Sequence, residues 1–355
     1  MVRVTGNFQS ETALNSLAQE ALFAALDSGW ADPKKIGQVP SRAASLRANA
    51  IESISSNLGI KSDQIEITGE VGLGYFLALG GFLSGDRNLY YGAGDRSGAI
   101  ATARSHIGKS EIIPLAPNGE LNFTSVNFSK NSILSLQLAN GETGAINRLP
   151  QSLPGDLLVA VDATASGSRV TLPENWSSAV FDSRSWEGPA GLAIVAISDA
   201  ANWKNPLPHI SAVRRTYGTF SLPLLIASAV ALENFAPDEQ NIRKLSAKLR
   251  AEISQKIPTA LVAGDLDKSL PHLTSFIFPG CNGEELLRAL SVRGLSVDSG
   301  SACTAMNLQP SHVLAAMGLA TDGNVRVTLH AQTTAEEVDL LITALVDEVQ
   351  SQQQR

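Results

Sequence analysis

Along the chain, apolar residues recur first at helical spacing and then in short unbroken runs. From Glu11 to Leu26 and from Arg42 to Leu58 they repeat at the spacing of amphipathic helices. Extended runs follow at Gln64–Thr68, Asn88–Tyr91, Glu111–Leu115, Ser132–Ala139, Leu157–Asp162, Ala179–Asp182 and Leu192–Ser198. Several are apolar at every position, as expected of strands covered on both faces. Helical segments between some of them predict an α/β architecture, a mostly parallel sheet with covering helices. One crossover is expected to be reduced, because Asn147 to Asp156 holds Pro150 and Pro154 and leaves little room for a helix.

The pattern changes near Pro223. Helical segments at Pro223–Leu232 and Pro237–Ile257 lead into extended runs at Ala260–Ala263 and His272–Phe278. A helix at Gly283–Arg293, a strand at Asn324–Leu329 and a closing helix from Thr334 complete a smaller α+β unit. The expected division is a large domain over residues 10–234 and a small one from residues 1–9 and 235–355. With 355 residues, 44% hydrophobic and 17% charged, the chain has the composition of a soluble globular protein of about two domains.

The net charge of -7 argues against nucleic acid, which demands clustered Lys and Arg. The longest apolar stretch, Leu224 to Leu232, is far short of the ~20 residues a bilayer requires. The leading Met-Val-Arg-Val-Thr-Gly-Asn has no apolar signal region, so a cytoplasmic location is expected. Cys281 and Cys303 make no disulfide framework and no zinc spacing, and the five histidines are scattered, so no metal is expected.

Three segments carry candidate chemistry. Ser299-Gly-Ser-Ala-Cys303-Thr304 holds a thiol among small residues, followed by a helix signal from Pro310 to Gly318. It reads either as a reactive loop or as a turn containing a cysteine. The segment from Gln64 to Gly74 ends a strand and opens a helix, where free amides would cradle a phosphate, although Leu77 breaks the dinucleotide fingerprint. Asp162 closes a buried strand, as a ligand-binding carboxylate at the sheet edge or as a cap.

Taken in order, these pieces resemble the cysteine desulfurases, class V members of the aminotransferase fold that binds pyridoxal phosphate (PLP). Ser299-Gly-Ser-Ala-Cys-Thr, Leu308-Gln-Pro-Ser-His-Val-Leu and Asn324-Val-Arg-Val-Thr-Leu are similar to the family's cysteine loop, following helix and substrate-arginine strand. Leu138-Ala-Asn-Gly-Glu-Thr-Gly resembles its asparagine-rich turn, and Gly188-Pro189 the pair after its cofactor lysine. Tyr217-Gly218-Thr219 resembles the segment that reaches a neighbouring subunit's phosphate. The resemblance implies PLP fold type I with a seven-stranded sheet, PLP as cofactor, and a homodimer with shared sites. It casts Asp162 as the pyridine-nitrogen partner, Arg326 as the substrate-carboxylate clamp, Asn140 as substrate-binding and Thr219 as phosphate-binding. Cys303 becomes the sulfur acceptor, which also implies a downstream sulfur-acceptor protein.

Six positions depart from that pattern. Ser185 stands where the resemblance puts the imine-forming lysine, and serine forms no imine. Arg184 replaces the phosphate-binding histidine, and Arg96 the histidine that stacks on the ring. Gly141 replaces the turn's second asparagine, Ala165 the ring-hydroxyl glutamine, and Gly72 the threonine of the phosphate turn. Lys204 is the nearest downstream lysine, in a polar loop beyond its strand. The expected function is therefore a non-catalytic or partner-dependent homologue, a homodimer or a heterodimer with an active relative. The alternatives are a PLP-free sulfur relay or anion-binding module built on Arg96 and Arg184, and an active desulfurase making a Cys303 persulfide.

Overall fold

The apolar runs of the first part come together in a seven-stranded sheet, seen in a computed structural model that describes residues 6–27, 30–207, 220–300 and 310–354. Within these residues the chain opens with β1 (Asn7–Phe8), α1 (Ser16–Leu26) and α2 (Gln38–Leu58). It continues through β2 (Ile65–Thr68), α3 (Val71–Gly80), β3 (Asn88–Gly92), α4 (Ser97–Ser105), β4 (Ser110–Ile113) and β5 (Ser132–Gln137). β6 (Leu158–Asp162), β7 (Ser178–Asp182) and β8 (Ala193–Ile197) complete the sheet, in the order β2-β8-β7-β6-β5-β3-β4. β3 to β7 run parallel, and β8 is antiparallel to both its neighbours.

Then come α5 (Leu222–Glu233), α6 (Glu239–Lys256), β9 (Leu261–Ala263), β10 (Leu273–Ile277), α7 (Gly283–Val292) and β11 (Ser296–Val297). α8 (His312–Ala316), β12 (Asn324–Thr328) and α9 (Ala335–Gln353) follow. β12, β10 and β9 form a second, antiparallel sheet, and β1 pairs with β11.

Strand alternation divides the apolar residues of the large sheet between two faces. Leu134, Leu136, Val159, Val161, Phe181 and Ile194 pack on the side of α1, α2 and α5. Ile133, Ala160, Val180 and Val195 face α3 and α4. α3 lies so close to the sheet that a Cβ on Gly74 would come within 2.9 Å of Val180, so only glycine fits there. A further core joins α6, α7, α9 and the small sheet through Leu249, Leu290, Phe276, Val325 and Leu341. Cys281 is buried in that core.

The differences from sequence expectation have local causes. α1 starts at Ser16, not Glu11, because the Asn15 side chain caps it by accepting from the Ala18 amide at 2.8 Å. β4 stops at Ile113, since Pro114 has no amide for the ladder. α4 is made largely of small residues, burying Ala99, Thr102 and Ala103, and so shows no strong apolar stripe. Between β5 and β6 no helix intervenes; Ala139 instead forms a bridge with Ile146. No helix among the described residues is long and apolar enough to cross a membrane.

Candidate functional site

The parallel strands deliver their carboxyl ends to one edge, where such sheets bind ligands. Gly94 to Arg96 follow β3, Asn140 to Glu142 follow β5, Asp162 closes β6, and Asp182 to Ser185 close β7. Opposite them stand His272, Ser311, His312, and Arg326 and Thr328 of β12. Apart from the buried Asp162 and Ser183, they line together a cleft of about 710 Å³.

Asp162 is buried at the base of this edge. Its Oδ1 accepts from Tyr75 Oη at 3.0 Å, the Thr164 amide at 2.9 Å and Thr164 Oγ1 at 2.6 Å. Arg96 Nε lies 3.7 Å from its Oδ2. Burial drives the Tyr75 phenol well above its ordinary range, with Asp162 adding to the rise, so Tyr75 stays a neutral donor. Beside them, buried Asp95 accepts from Ser135 Oγ at 2.8 Å. Desolvation, reinforced by the charge of Asp162 and opposed by Ser135, raises Asp95 to about 7.

Because Asp95 binds its proton more tightly folded than unfolded, its contribution is full below the ordinary value of 3.8 and is lost as pH rises through about 7. Asp95→Asn preserves the neutral shape. Urea midpoints measured across this range are expected to fall with rising pH in the wild type and to fall less in the variant. Equal slopes would contradict the assignment.

The start of α3 requires a correction. The amides at Gly72 and Leu73 are not free to cradle a phosphate: both donate to the Glu70 carboxylate, at 2.7 and 2.5 Å. Glu70 caps the helix with a full negative charge at its positive end. A Cβ on Gly72 would sit 2.9 Å from Glu70 Oε2, so the small residue at 72 leaves the space the carboxylate takes here. A similar fit lies across the cleft. A Cβ on Gly141 would come 2.8 Å from Arg96 Nη2, so Gly141 leaves the room that the guanidinium occupies.

Ser185 sits in a 3-10 turn, Ser183–Trp186, with its hydroxyl donating to the Asp182 carbonyl at 2.7 Å. Arg184 forms a forked pair with Asp182, from Nη2 at 2.7 Å and Nε at 3.1 Å, and its Nη1 lies 3.6 Å from Glu11. Hydrogen bonding to Asp182 raises the Arg184 pKa, while the nearby charge of Arg96 opposes it. Both arginines line the cleft, as does Ala165, but each already has a carboxylate neighbour. Lys204 is elsewhere. Antiparallel β8 ends at Ile197 beside Ser178, the start of β7, and so carries the following loop to the opposite edge of the sheet. No lysine lines the cleft among the described residues.

Asn140 organises its own turn: its Oδ1 accepts from the amides of Glu142 and Thr143 at 2.9 Å, and its Nδ2 donates to Gln137 and Gly94. Arg326 lines the cleft with Nη2 on Asp298 at 2.8 Å and Nη1 on the Gly141 carbonyl at 3.2 Å. Its Nε has no hydrogen-bond partner among the described residues. Cys303 and Thr219 lie outside the described residues, and their expected roles have no geometry here. Gly300, just before the thiol loop, is held by Asn324 Oδ1 at 2.6 Å.

These residues do not fit PLP. The α3 amides carry a carboxylate, Ser185 offers no amine, and Arg96 brings a cation to the position where the resemblance puts a ring-stacking histidine. Asp162 retains the right chemistry but is already bonded to Tyr75 and Thr164.

Sequence reading missed Glu70, Tyr75, Asp95, Arg169 and His272. Glu70 alone was open to inference, as an acidic residue two positions before a helix-opening glycine. The others are brought in by tertiary packing.

The profile of the family described as Aminotransferase class-V matches residues 100–341. Cysteine desulfurase NifS of Azotobacter vinelandii is 30% identical over 227 residues, which are 59% of this chain and 56% of that protein. Cysteine desulfurase IscS of Clostridium botulinum is 28% identical over 255 residues, 64% of each chain. The matches thus span less than two thirds of these relatives. A solved NifS-like protein superposes with a TM-score of 0.84 at 21% identity, covering 98% of this chain and 99% of its own.

Proposed function

The chain belongs to the aminotransferase class V family, and from that premise we propose a cysteine desulfurase-like protein that performs no PLP chemistry in its own cleft. It acts as a non-catalytic or partner-dependent homologue. The family is PLP-dependent, so the proposal rests on what occupies the cofactor positions here. The observation that carries it is the Glu70 carboxylate on the Gly72 and Leu73 amides, where the resemblance puts a cofactor phosphate. Two anions cannot share two amides.

Gly141 leaves room on the cleft wall for the Arg96 guanidinium, which supports a cleft shaped around that arginine. A dimer with a lysine-bearing relative gives such a chain a role, because it would shape a neighbour's site without supplying an imine. The anion-binding reading is favoured by one further fact, the four arginines 96, 169, 184 and 326 on the walls of the cleft.

Purified protein supplied with cysteine and PLP is expected to release no sulfide beyond a PLP-only blank, and a lysine-bearing homologue is expected to co-purify from cells. Sulfide release by the isolated chain, or a homodimer as its sole cellular form, would each contradict the corresponding half of the proposal.

A further inference from the structure

We propose that the cleft wall formed by Arg169, His272 and Thr328 is an oxyanion subsite for the acidic group of a small organic ligand. It is distinct from the Arg326 guanidinium, whose two terminal nitrogens are held by Asp298 and the Gly141 carbonyl. All three wall residues line the cleft.

The first observation is a pair of orphaned polar atoms. His272 and Thr328 are only 7% and 5% exposed, yet His272 Nδ1 and Thr328 Oγ1 have no hydrogen-bond partner among the described residues. Buried polar groups are normally paired, and orphans gathered on the wall of one cleft mark a place where a ligand supplies the partner. They are neighbours in the fold, because the His272 carbonyl accepts from the Leu329 amide, next along the chain from Thr328.

The second observation is a poorly neutralised cation. The Arg169 side chain is 10% exposed, and its ion pair is with Glu239 at 3.9 Å, a half-exposed carboxylate. Its Nη1 donates to the Ser185 carbonyl at 2.7 Å and its guanidinium lies 4.5 Å from the centre of the Phe235 ring. Burial lowers Arg169 to about 10, which leaves it charged at neutral pH. His272 feels that charge and stays neutral, its pKa held down by burial first and Arg169 second. His330 directs its Nε2 to the Gln9 carbonyl at 2.8 Å, so that nitrogen is the donor, Nδ1 is left an acceptor, and His330 takes no part in holding the anion.

The buried Arg169 guanidinium, the neutral His272 ring in its Nδ1–H tautomer and the Thr328 hydroxyl together suit an oxyanion, which accepts from all three and supplies the missing charge. A carboxylate and a phosphate monoester share this chemistry, and the two are separated by experiment. An oxyanion here is independent of PLP uptake, since neither the α3 amides nor Ser185 Oγ takes part.

The test is thermal shift and calorimetry on the full-length protein with inorganic phosphate and with malonate, at ionic strength matched by chloride. Saturable stabilisation by either anion beyond chloride is expected, and the anion that works identifies the acidic group. Thr328→Val removes the orphaned hydroxyl in an isosteric side chain and is expected to weaken binding by about tenfold or more, with no loss of melting temperature in buffer alone. Thr328→Ser keeps the hydroxyl and is expected to bind nearly as the wild type does. No saturable shift with either anion, or equal affinity in the valine variant, would overturn the subsite.

Discussion

Trp186→Ala is expected to destabilise the fold by about 3–5 kcal/mol, the usual effect of emptying a large aromatic site in a packed core. Trp186 is fully buried, its indole N–H donates to the Ser228 carbonyl at 3.2 Å, and its ring lies 6.5 Å from that of Phe181. Truncation leaves a cavity in the core. The residue immediately follows Ser185, so the tryptophan also fixes the turn that presents position 185 to the cleft. Urea denaturation checks the figure. A loss below ~1 kcal/mol would mean that the turn is not anchored by the core, and that position 185 has more freedom than its geometry implies.

Asp162→Ala is expected to lose about 2–4 kcal/mol, because it leaves buried Tyr75 and Thr164 without their shared acceptor. Little of that comes from Arg96, which is 39% exposed and 3.7 Å away, so its ion pair is weakened by solvent. Asp162→Asn keeps an acceptor oxygen and is expected to recover much of the loss. The pair of variants separates two roles. A carboxylate held only for a cofactor would leave the stability of the cofactor-free protein unchanged when replaced, whereas the network here requires the acceptor in that state. Melting curves without added PLP that coincide for wild type and Asp162→Ala would contradict this reading.

The large sheet was legible because its strands are short, apolar on both faces and bounded by polar turns; β5, β6, β7 and β8 all fall on expected runs. Where the backbone obeys other rules, the pattern is silent. α4 buries small residues, and α3 is apolar nearly all round, so neither shows a clear stripe. At the site, residues at strand ends could be placed from sequence: Asp162, Asn140, Arg96 and Ser185 do lie at one edge. What they bond to could not. Asn140 organises its turn and Arg326 pairs with Asp298, each through contacts fixed by packing or loop geometry. The Glu70 cap is local in sequence, only two and three residues from its donors, but a glutamate is an uncommon cap and its length made it easy to pass over.

The central claim is that no amine of this chain reaches a coenzyme aldehyde in the cleft, and borohydride reduction tests it most directly. The protein is incubated with PLP, reduced, digested and searched by mass spectrometry for pyridoxyl adducts. No stoichiometric modification at any single lysine is expected, only the scattered low-level labelling of exposed amines. A stoichiometric pyridoxyl-lysine at one position would contradict the account and make the chain a PLP enzyme with its amine supplied from elsewhere than position 185.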